Sequence, residues 1–349
     1  MSEEQGGKKS RGCRFGCLAM ALVLGGLVVL VALAAVFGFS SLSRDFSLGG
    51  SSRHRVAGPR LEGGEDEVPV LSEVWSGGTG ETKVVRIPLT GIITFSEGGA
   101  WMGEGGSASA ALRAIKRATH DPDVEGLILE VDSGGGGITA SDILYKALLD
   151  FKHAQRGRAI VTIMGDVAAS GAYYISLPSD LILAHPTTIT GSIGVIMQSY
   201  NIQELAAKIG LKDVTFKSGE NKDLLNPFHE VSAEQRAMLQ RVIDALYNRF
   251  VSLVANARQL PEAEVRKLAD GRIFAADDAL KAKLIDDIGY SADAEQAMAD
   301  LLDIPALKVV RYEEETSFLD LLRNRRGFGM SLQSVLAPRE SHLMYRWGL

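Results

Sequence analysis

The sequence predicts an α/β protein with a mostly parallel sheet. Two observations carry this prediction: short apolar runs alternate with helical patterns across residues 83–312, and glycine-rich turns follow three of the predicted strands. Short apolar runs are typical of parallel strands buried on both faces, and alternation of strands with helices is typical of a parallel sheet. Of the 349 residues, 46% are hydrophobic and 23% are charged, a composition that excludes a disordered chain.

The predicted elements follow one another from residue 83 onward. The predicted strands span 84–89, 126–131, 159–164, 181–184 and 214–216. The predicted helices span 107–119, 138–151, 202–209 and 232–259, and one more begins near Ser170. A capping box marks the start of the longest helix, because Ser232 is followed three residues later by Gln235.

The N-terminal region predicts a membrane anchor. Residues 1–16 carry four Lys or Arg against two Glu, and residues 17–39 carry no charge. An apolar run of this length spans a hydrocarbon core as a helix, whereas the apolar region of a cleaved signal peptide, the alternative, is usually shorter. By the positive-inside rule, the basic N-terminus stays in the cytoplasm and the chain after residue 39 lies on the other side of the membrane.

The remaining segments flank the predicted folded domain. Residues 40–82 are rich in Ser, Gly, Glu and Arg and are expected to be a linker. Residues 313–349 form a poorly patterned tail, in which 344–347 is expected to be exposed. The net charge of −6 argues against nucleic acid as a partner. Cys13 and Cys17 both precede the linker, so the domain has no disulfide, cysteine nucleophile or cysteine-based metal site.

The first glycine-rich turn spans residues 132–137 and contains four successive glycines before a predicted helix. Backbone N–H groups at such a place suit an anion. A phosphate loop is excluded, because no Gly-Lys-Ser/Thr follows. An oxyanion hole, whose backbone donors stabilise a tetrahedral intermediate, fits better, and a plain flexible turn is the alternative.

The second turn, residues 165–174, presents a serine between small residues, after a strand and at an expected helix start. Ser170 is therefore a candidate nucleophile, because the helix dipole favours developing negative charge there, or a simple helix N-cap. A nucleophilic serine needs a base. The candidates are His185, which lies close to a turn, and Lys217 and Lys222, which lie in a polar loop.

The third turn spans residues 190–195 and contains Ser192, which either hydrogen-bonds a lysine amine or caps a turn. Together the turns resemble the signal peptide peptidase A family, membrane-anchored Ser–Lys proteases with a ClpP/crotonase-like core. Residues 168–174 match the nucleophile motif of the family, 190–197 match the segment that follows it, and 217–223 match its lysine motif. The similarity covers residues 83–300, as a single core of the short bacterial type.

The resemblance implies Ser170 as nucleophile and Lys222 as general base, with Ser192 orienting the lysine amine. Backbone N–H groups near Gly135 or Gly136, and of Gly171, are expected to bind the oxyanion. The mechanism needs no metal and no cofactor.

The resemblance also implies partners and a location. The expected substrates are signal-peptide remnants and other short apolar peptides, released at membrane lipid. The expected location is the bacterial inner membrane, with the catalytic domain on the extracytoplasmic side. A homo-oligomer is expected, because such a small core needs to hide its active sites from folded proteins. An apolar stripe along helix 232–259 is wide enough to add an interface, or it packs wholly within its own subunit.

Two other functions are open at this stage. A crotonase-like acyl-CoA enzyme shares the core and the oxyanion turns, but it is normally soluble and uses carboxylates instead of a Ser–Lys pair. A catalytically inactive membrane scaffold keeps the fold without the reaction. Labelling by a serine-reactive probe and measurable peptide hydrolysis separate both from a protease.

Overall fold

The computed structural model describes residues 68–95 and 107–313, and the backbone of 344–346. The strands are β1 (Ser72–Gly77), β2 (Thr82–Thr90), β3 (Val124–Ser133), β4 (Gly135–Gly137), β5 (Ala159–Ala169), β6 (Leu181–Ala184), β7 (Ile189–Gly191), β8 (Ile273–Ala275), β9 (Asp287–Ile288), β10 (Leu307–Glu313) and β11 (Met344–Arg346). The helices are α1 (Ser107–His120), α2 (Ile138–Ala154), α3 (Gly171–Ser176), α4 (Gln203–Lys208), α5 (Ala233–Arg258), α6 (Glu262–Leu268), α7 (Ala276–Lys281) and α8 (Ser291–Leu301). A short 3-10 helix, Glu220–Asp223, is named the Lys222 turn below.

One sheet dominates the described part of the chain, with the strand order β1–β10–β2–β3–β5–β6–β9. The pairs from β10 to β9 are all parallel, and β7 continues the parallel pairing beyond the end of β6 by joining β5. The two antiparallel pairs of this sheet, β1 with β10 and β7 with β8, lie at its periphery. The predicted α/β class with a mostly parallel sheet is confirmed.

Both faces of the sheet are buried, which explains the continuous apolar runs of its strands. Along β3, Leu127 and Leu129 belong to one hydrophobic cluster and Ile128 belongs to another. The first cluster also holds Leu144 and Phe151 of α2, and the second holds side chains of α8. Successive strand residues point to opposite faces, so helices cover the sheet on each side.

The longest helix begins as predicted, because Ser232 caps α5 and exchanges both capping-box hydrogen bonds with Gln235. The fully buried residues of α5 all lie in its C-terminal half, between Phe250 and Ala255. Before α5 the chain forms an extension, residues 195–231, which carries α4 and the Lys222 turn. The predicted strand 214–216 is wrong: these residues have no regular structure, and Phe216 is 95% exposed.

Two further predictions need correction. The linker predicted to end at residue 82 contains β1, which has no clear side-chain pattern and pairs with β10 through its backbone. The tail predicted to be poorly patterned contributes a strand, β11, which pairs antiparallel with β4. The predicted anchor at 17–39 lies outside the described residues. Within them, no helix combines the length and the apolarity that a membrane span needs.

Candidate active site

Ser170 lies at the junction of β5 and α3, at the carboxyl edge of the sheet. Its backbone has φ 57° and ψ −115°, a conformation that favours glycine, and its side chain is almost fully buried. Its N–H donates to the Gly191 carbonyl at 2.8 Å, and its carbonyl accepts from the Tyr174 N–H at 2.9 Å. The hydroxyl makes no capping hydrogen bond to α3. Ser170 thus occupies the N-cap position of α3 but lacks the side-chain hydrogen bond of a capping serine, and its backbone hydrogen bonds hold it in the strained turn.

Ser192 leaves the neighbouring strand β7 beside Ser170. Ala169 and Gly191 are in register across β5 and β7, so the two serines follow paired residues. Ser192 also has a positive φ, 49°, and its N–H donates to the Arg272 carbonyl at 2.8 Å. The sheet thus places Ser170 and Ser192 side by side.

The glycine strand β4 approaches a second backbone segment closely. Ile93 N–H donates to the Gly135 carbonyl at 3.0 Å, and the Ile93 carbonyl accepts from the Gly137 N–H at 2.8 Å. A Cβ at Gly136 would lie 2.2 Å from the Ile93 carbonyl oxygen, so this strand excludes side chains here. β11 pairs with the glycine strand as well, with Tyr345 opposite Gly136.

The glycine candidates for the oxyanion hole differ in whether their backbone N–H groups are already hydrogen-bonded. Gly135 N–H donates to the Ser133 hydroxyl at 3.0 Å, and that hydroxyl donates to the Gly91 carbonyl at 2.5 Å. The Gly135 donor is therefore committed to its own turn. Gly171 is the first residue of α3, and within the described residues its N–H makes no hydrogen bond. A free donor next to the nucleophile is the arrangement that an oxyanion hole needs.

A partly buried hydrogen-bond network around α3, the helix that follows the nucleophile, was not predicted from the sequence. The Tyr173 hydroxyl donates to the Leu284 carbonyl at 2.8 Å, and burial raises the pKa of Tyr173. The Tyr174 hydroxyl donates to Asp142 Oδ1 at 2.6 Å, and Arg249 Nε donates to the Tyr174 hydroxyl at 3.1 Å. Its hydrogen bond to Asp142 raises the pKa of Arg249, so this cation stays charged. α2 and α5 thus fix the helix that begins after Ser170.

Lys222 lies on the Lys222 turn of the extension and not on the sheet. It is exposed, and no hydrogen bond or ion pair joins it to Ser170 or Ser192 within the described residues. Its turn is closed by Lys217 and Asp223, whose Nζ and Oδ1 atoms are 2.8 Å apart. The structure therefore brings together the two serines and the glycine turns, but not the lysine.

His185, the other candidate base, packs against an aromatic side chain. The His185 ring packs edge-on against Tyr290, with ring centroids 5.3 Å apart, and has no hydrogen bond to Ser170 among the described residues. Among the same residues, no cluster of three His, Cys, Asp or Glu side chains could hold a metal ion.

Comparison with known proteins identifies the family. Residues 152–305 match the model of peptidase family S49. A protein from Enterococcus faecium that carries the name signal peptide peptidase SppA is 35% identical over 249 residues, or 71% of this chain and 72% of that protein. The chain belongs to the SppA family of S49 peptidases. It is a serine protease, and this membership decides against the acyl-CoA alternative.

Other proteases match a similar part of the chain. A protease from Synechocystis is 36% identical over 227 residues, covering 65% of this chain and 77% of that protein. Protease 4 of Salmonella typhi is 32% identical over 218 residues, which cover 62% of this chain and 34% of that protein. A solved ClpP1 variant from Listeria monocytogenes overlaps 60% of this chain and 93% of its own, with 14% identity and a TM-score of 0.37, which is too low to support an argument.

Proposed function

We propose that this SppA-family protease is a membrane-anchored endopeptidase that uses Ser170 as nucleophile and Lys222 as general base. The observation that carries the proposal is the conformation of Ser170. A strained backbone costs free energy. With a hydroxyl that caps nothing and a Gly171 N–H that has no hydrogen bond among the described residues, it supports a role in chemistry. The proposed substrates are remnants of signal peptides and other short apolar peptides at the extracytoplasmic face of the bacterial inner membrane, where the apolar run 17–39 would hold the enzyme.

The proposed reaction proceeds in two halves. The neutral amine of Lys222 takes the hydroxyl proton as Ser170 Oγ bonds to the carbonyl carbon of the peptide. The oxyanion accepts hydrogen bonds from Gly171 N–H and, once β11 has left β4, from Gly136 N–H, because Gly135 is committed to Ser133. The C–N bond breaks, the lysine returns the proton to the leaving amine, and water hydrolyses the acyl-enzyme by the reverse proton path. Ser192 would orient the lysine amine.

The proposed peptide site is the edge of the glycine strand β4. A glycine strand presents backbone N–H and C=O groups without side chains, so an extended peptide can bind it by adding a strand. β11 pairs with this strand in an antiparallel orientation, with Met344 opposite Gly137 and Arg346 opposite Gly135. This pairing supports the proposal, because it is the backbone geometry that a bound peptide would adopt.

We predict that the tail competes with substrate for this edge. Tyr345→Pro removes a backbone donor from β11 and should weaken its pairing with β4. KM for a peptide should then fall by about threefold or more, because a larger fraction of the enzyme is open, while kcat stays unchanged. Steady-state kinetics on the full-length protein measure this. Ser334→Pro, in the tail but outside β11, is the control, and equal KM values for both variants and the wild type would contradict the prediction.

We further propose that a second copy of this chain covers the extension. Seven large apolar side chains lie exposed along it, and they are Ile196, Tyr200, Leu205, Ile209, Leu211, Val214 and Phe216. Exposed apolar surface of this extent on one segment is typical of an interface between proteins. Because the same segment carries Lys222, assembly would remove water from around the proposed base and complete the site.

Disrupting this surface should reduce assembly and activity together. We expect Phe216→Glu to yield a smaller particle by light scattering and to lose peptide hydrolysis, since a buried unpaired carboxylate opposes association. Leu301→Glu, at an exposed apolar residue at the end of α8, is the matched control and should keep both properties. A fully active monomeric Phe216→Glu enzyme would contradict the role of assembly.

One labelling experiment tests the proposed function directly. The full-length protein is incubated with a fluorophosphonate, which phosphonylates an activated serine hydroxyl with loss of fluoride, and the adduct is mapped by mass spectrometry. We expect one adduct, on Ser170, that is absent from the Ser170→Ala variant. Labelling at another serine would assign the role of nucleophile to that residue. Absence of both labelling and hydrolysis would favour an inactive scaffold.

A further inference from the structure

Two charged side chains close the turn that carries the proposed base. Lys217 Nζ lies 2.8 Å from Asp223 Oδ1 and donates to the Glu220 carbonyl at 3.2 Å. Within the turn, the Lys222 N–H donates to the Gly219 carbonyl at 3.1 Å. The ion pair thus joins Lys217, three residues before the turn, to Asp223, the last residue of the turn. Lys222 lies between the two in sequence.

The carboxylate in this ion pair is also the one next to the proposed base. Asp223 follows Lys222 directly in sequence, and its side chain is less exposed than that of Lys217, 15% against 38%. The hydrogen bond from Lys217 lowers the pKa of the Asp223 carboxyl, which therefore stays an anion. Within the described residues, the Lys222 ammonium has no hydrogen bond and no ion pair. The structure pairs the neighbouring anion with Lys217 and leaves Lys222 free.

We propose that Lys217 and Asp223 are positioning residues that keep Lys222 competent as a base. This inference rests on the proposed function, in which Lys222 takes the proton of Ser170. A lysine base acts only when it is neutral, and a carboxylate paired with an amine stabilises the protonated form. Lys217 withholds the Asp223 carboxylate from Lys222, and its own positive charge disfavours a second ammonium nearby.

The other charged groups around this turn do not replace the pair. Asp213 accepts hydrogen bonds from Thr215 and Asn226, and its Oδ2 lies 3.0 Å from His229 Nε2. Glu220 lies two residues before Lys222 and is unchanged in every variant below. Histidine is the side chain that commonly titrates near neutral pH, so His229→Gln serves as a control for its charge.

The test is the pH profile of kcat/KM for a fluorogenic peptide, measured on the full-length protein. Lys217→Met keeps the length of the side chain but releases Asp223. We expect the acid limb of the profile to move upward by about one pH unit, which lowers the rate on that limb about tenfold and leaves the high-pH plateau unchanged. Lys217→Arg should keep the wild-type profile. Adding Asp223→Asn to Lys217→Met should return the acid limb to its wild-type position, because the carboxylate released by the first substitution is then absent.

Controls separate this inference from a structural role and from the proposed function. Lys212→Met removes a positive charge from the same extension, where Lys212 has no side-chain partner among the described residues, and the acid limb should not move. His229→Gln should not move it either. A uniform loss of rate at every pH in Lys217→Met, without rescue by Asp223→Asn, would overturn the inference while an inactive Lys222→Ala still upholds the base. An active Lys222→Ala would refute the proposed function itself.

Discussion

Ser170→Ala should lower kcat for peptide hydrolysis by about 10⁴-fold or more, because no acyl-enzyme can form without the hydroxyl oxygen. The fold should survive, since the backbone groups of Ser170, and not its hydroxyl, make its hydrogen bonds to Gly191 and Tyr174. Initial rates with a fluorogenic peptide measure kcat, and thermal unfolding of the same samples measures the stability of the fold.

The matched control for this substitution is a buried serine in α3, the helix that follows Ser170. Ser176 Oγ donates to the Ala172 carbonyl within α3, so Ser176→Ala removes a buried hydroxyl without touching the proposed nucleophile. It should lose some stability and keep its activity. Comparable activity of the Ser170→Ala and Ser176→Ala enzymes would remove Ser170 from the mechanism.

Lys222→Ala should be as inactive as Ser170→Ala, because members of a catalytic pair act as a unit and their losses are not additive. Lys222→Arg keeps the charge but should be equally inactive, since a guanidinium stays protonated and cannot take a proton. The wild-type profile of kcat/KM should rise from neutral to alkaline pH, because a free lysine has a pKa of about 10.4 and acts as a base only when neutral.

Two outcomes would contradict the assignment of the base. A profile that falls between about pH 6 and pH 9 would exclude a lysine that must lose its proton to act. An inactive Lys217→Ala at high pH together with an active Lys222→Ala would exchange the roles of the two lysines. Lys212→Ala, on the same extension, should stay active and controls for the loss of one surface charge.

The sheet and the serine turn were predictable because local sequence determines them. The apolar runs of β3 and β5 record burial on two faces, and the capping box of Ser232 and Gln235 records the start of α5. The helix expected near Ser170 does begin at Gly171. In each case the physical cause lies within a few residues, so the pattern and the structure agree.

Long-range pairing was not predictable in the same way. Arg249 and Asp142 are 107 residues apart, and neither has a local pattern that marks its contact with the helix after Ser170. β1 and β11 are held by backbone hydrogen bonds to β10 and β4, which leave no periodicity in the side chains. Val214 and Phe216 have the β-branched and aromatic character of a strand, but no strand in the described part of the chain pairs with them.

The positive φ angles of Ser170 and Ser192 set thermal stability against catalytic activity. A residue with a side chain costs roughly 1–3 kcal/mol in such a conformation, whereas glycine adopts it freely. Selection for thermal stability alone would therefore favour glycine at both positions and would remove both hydroxyls of the site. A directed-evolution campaign on this enzyme needs a hydrolysis assay in every round, because its most stabilising substitutions here would also be its most inactivating.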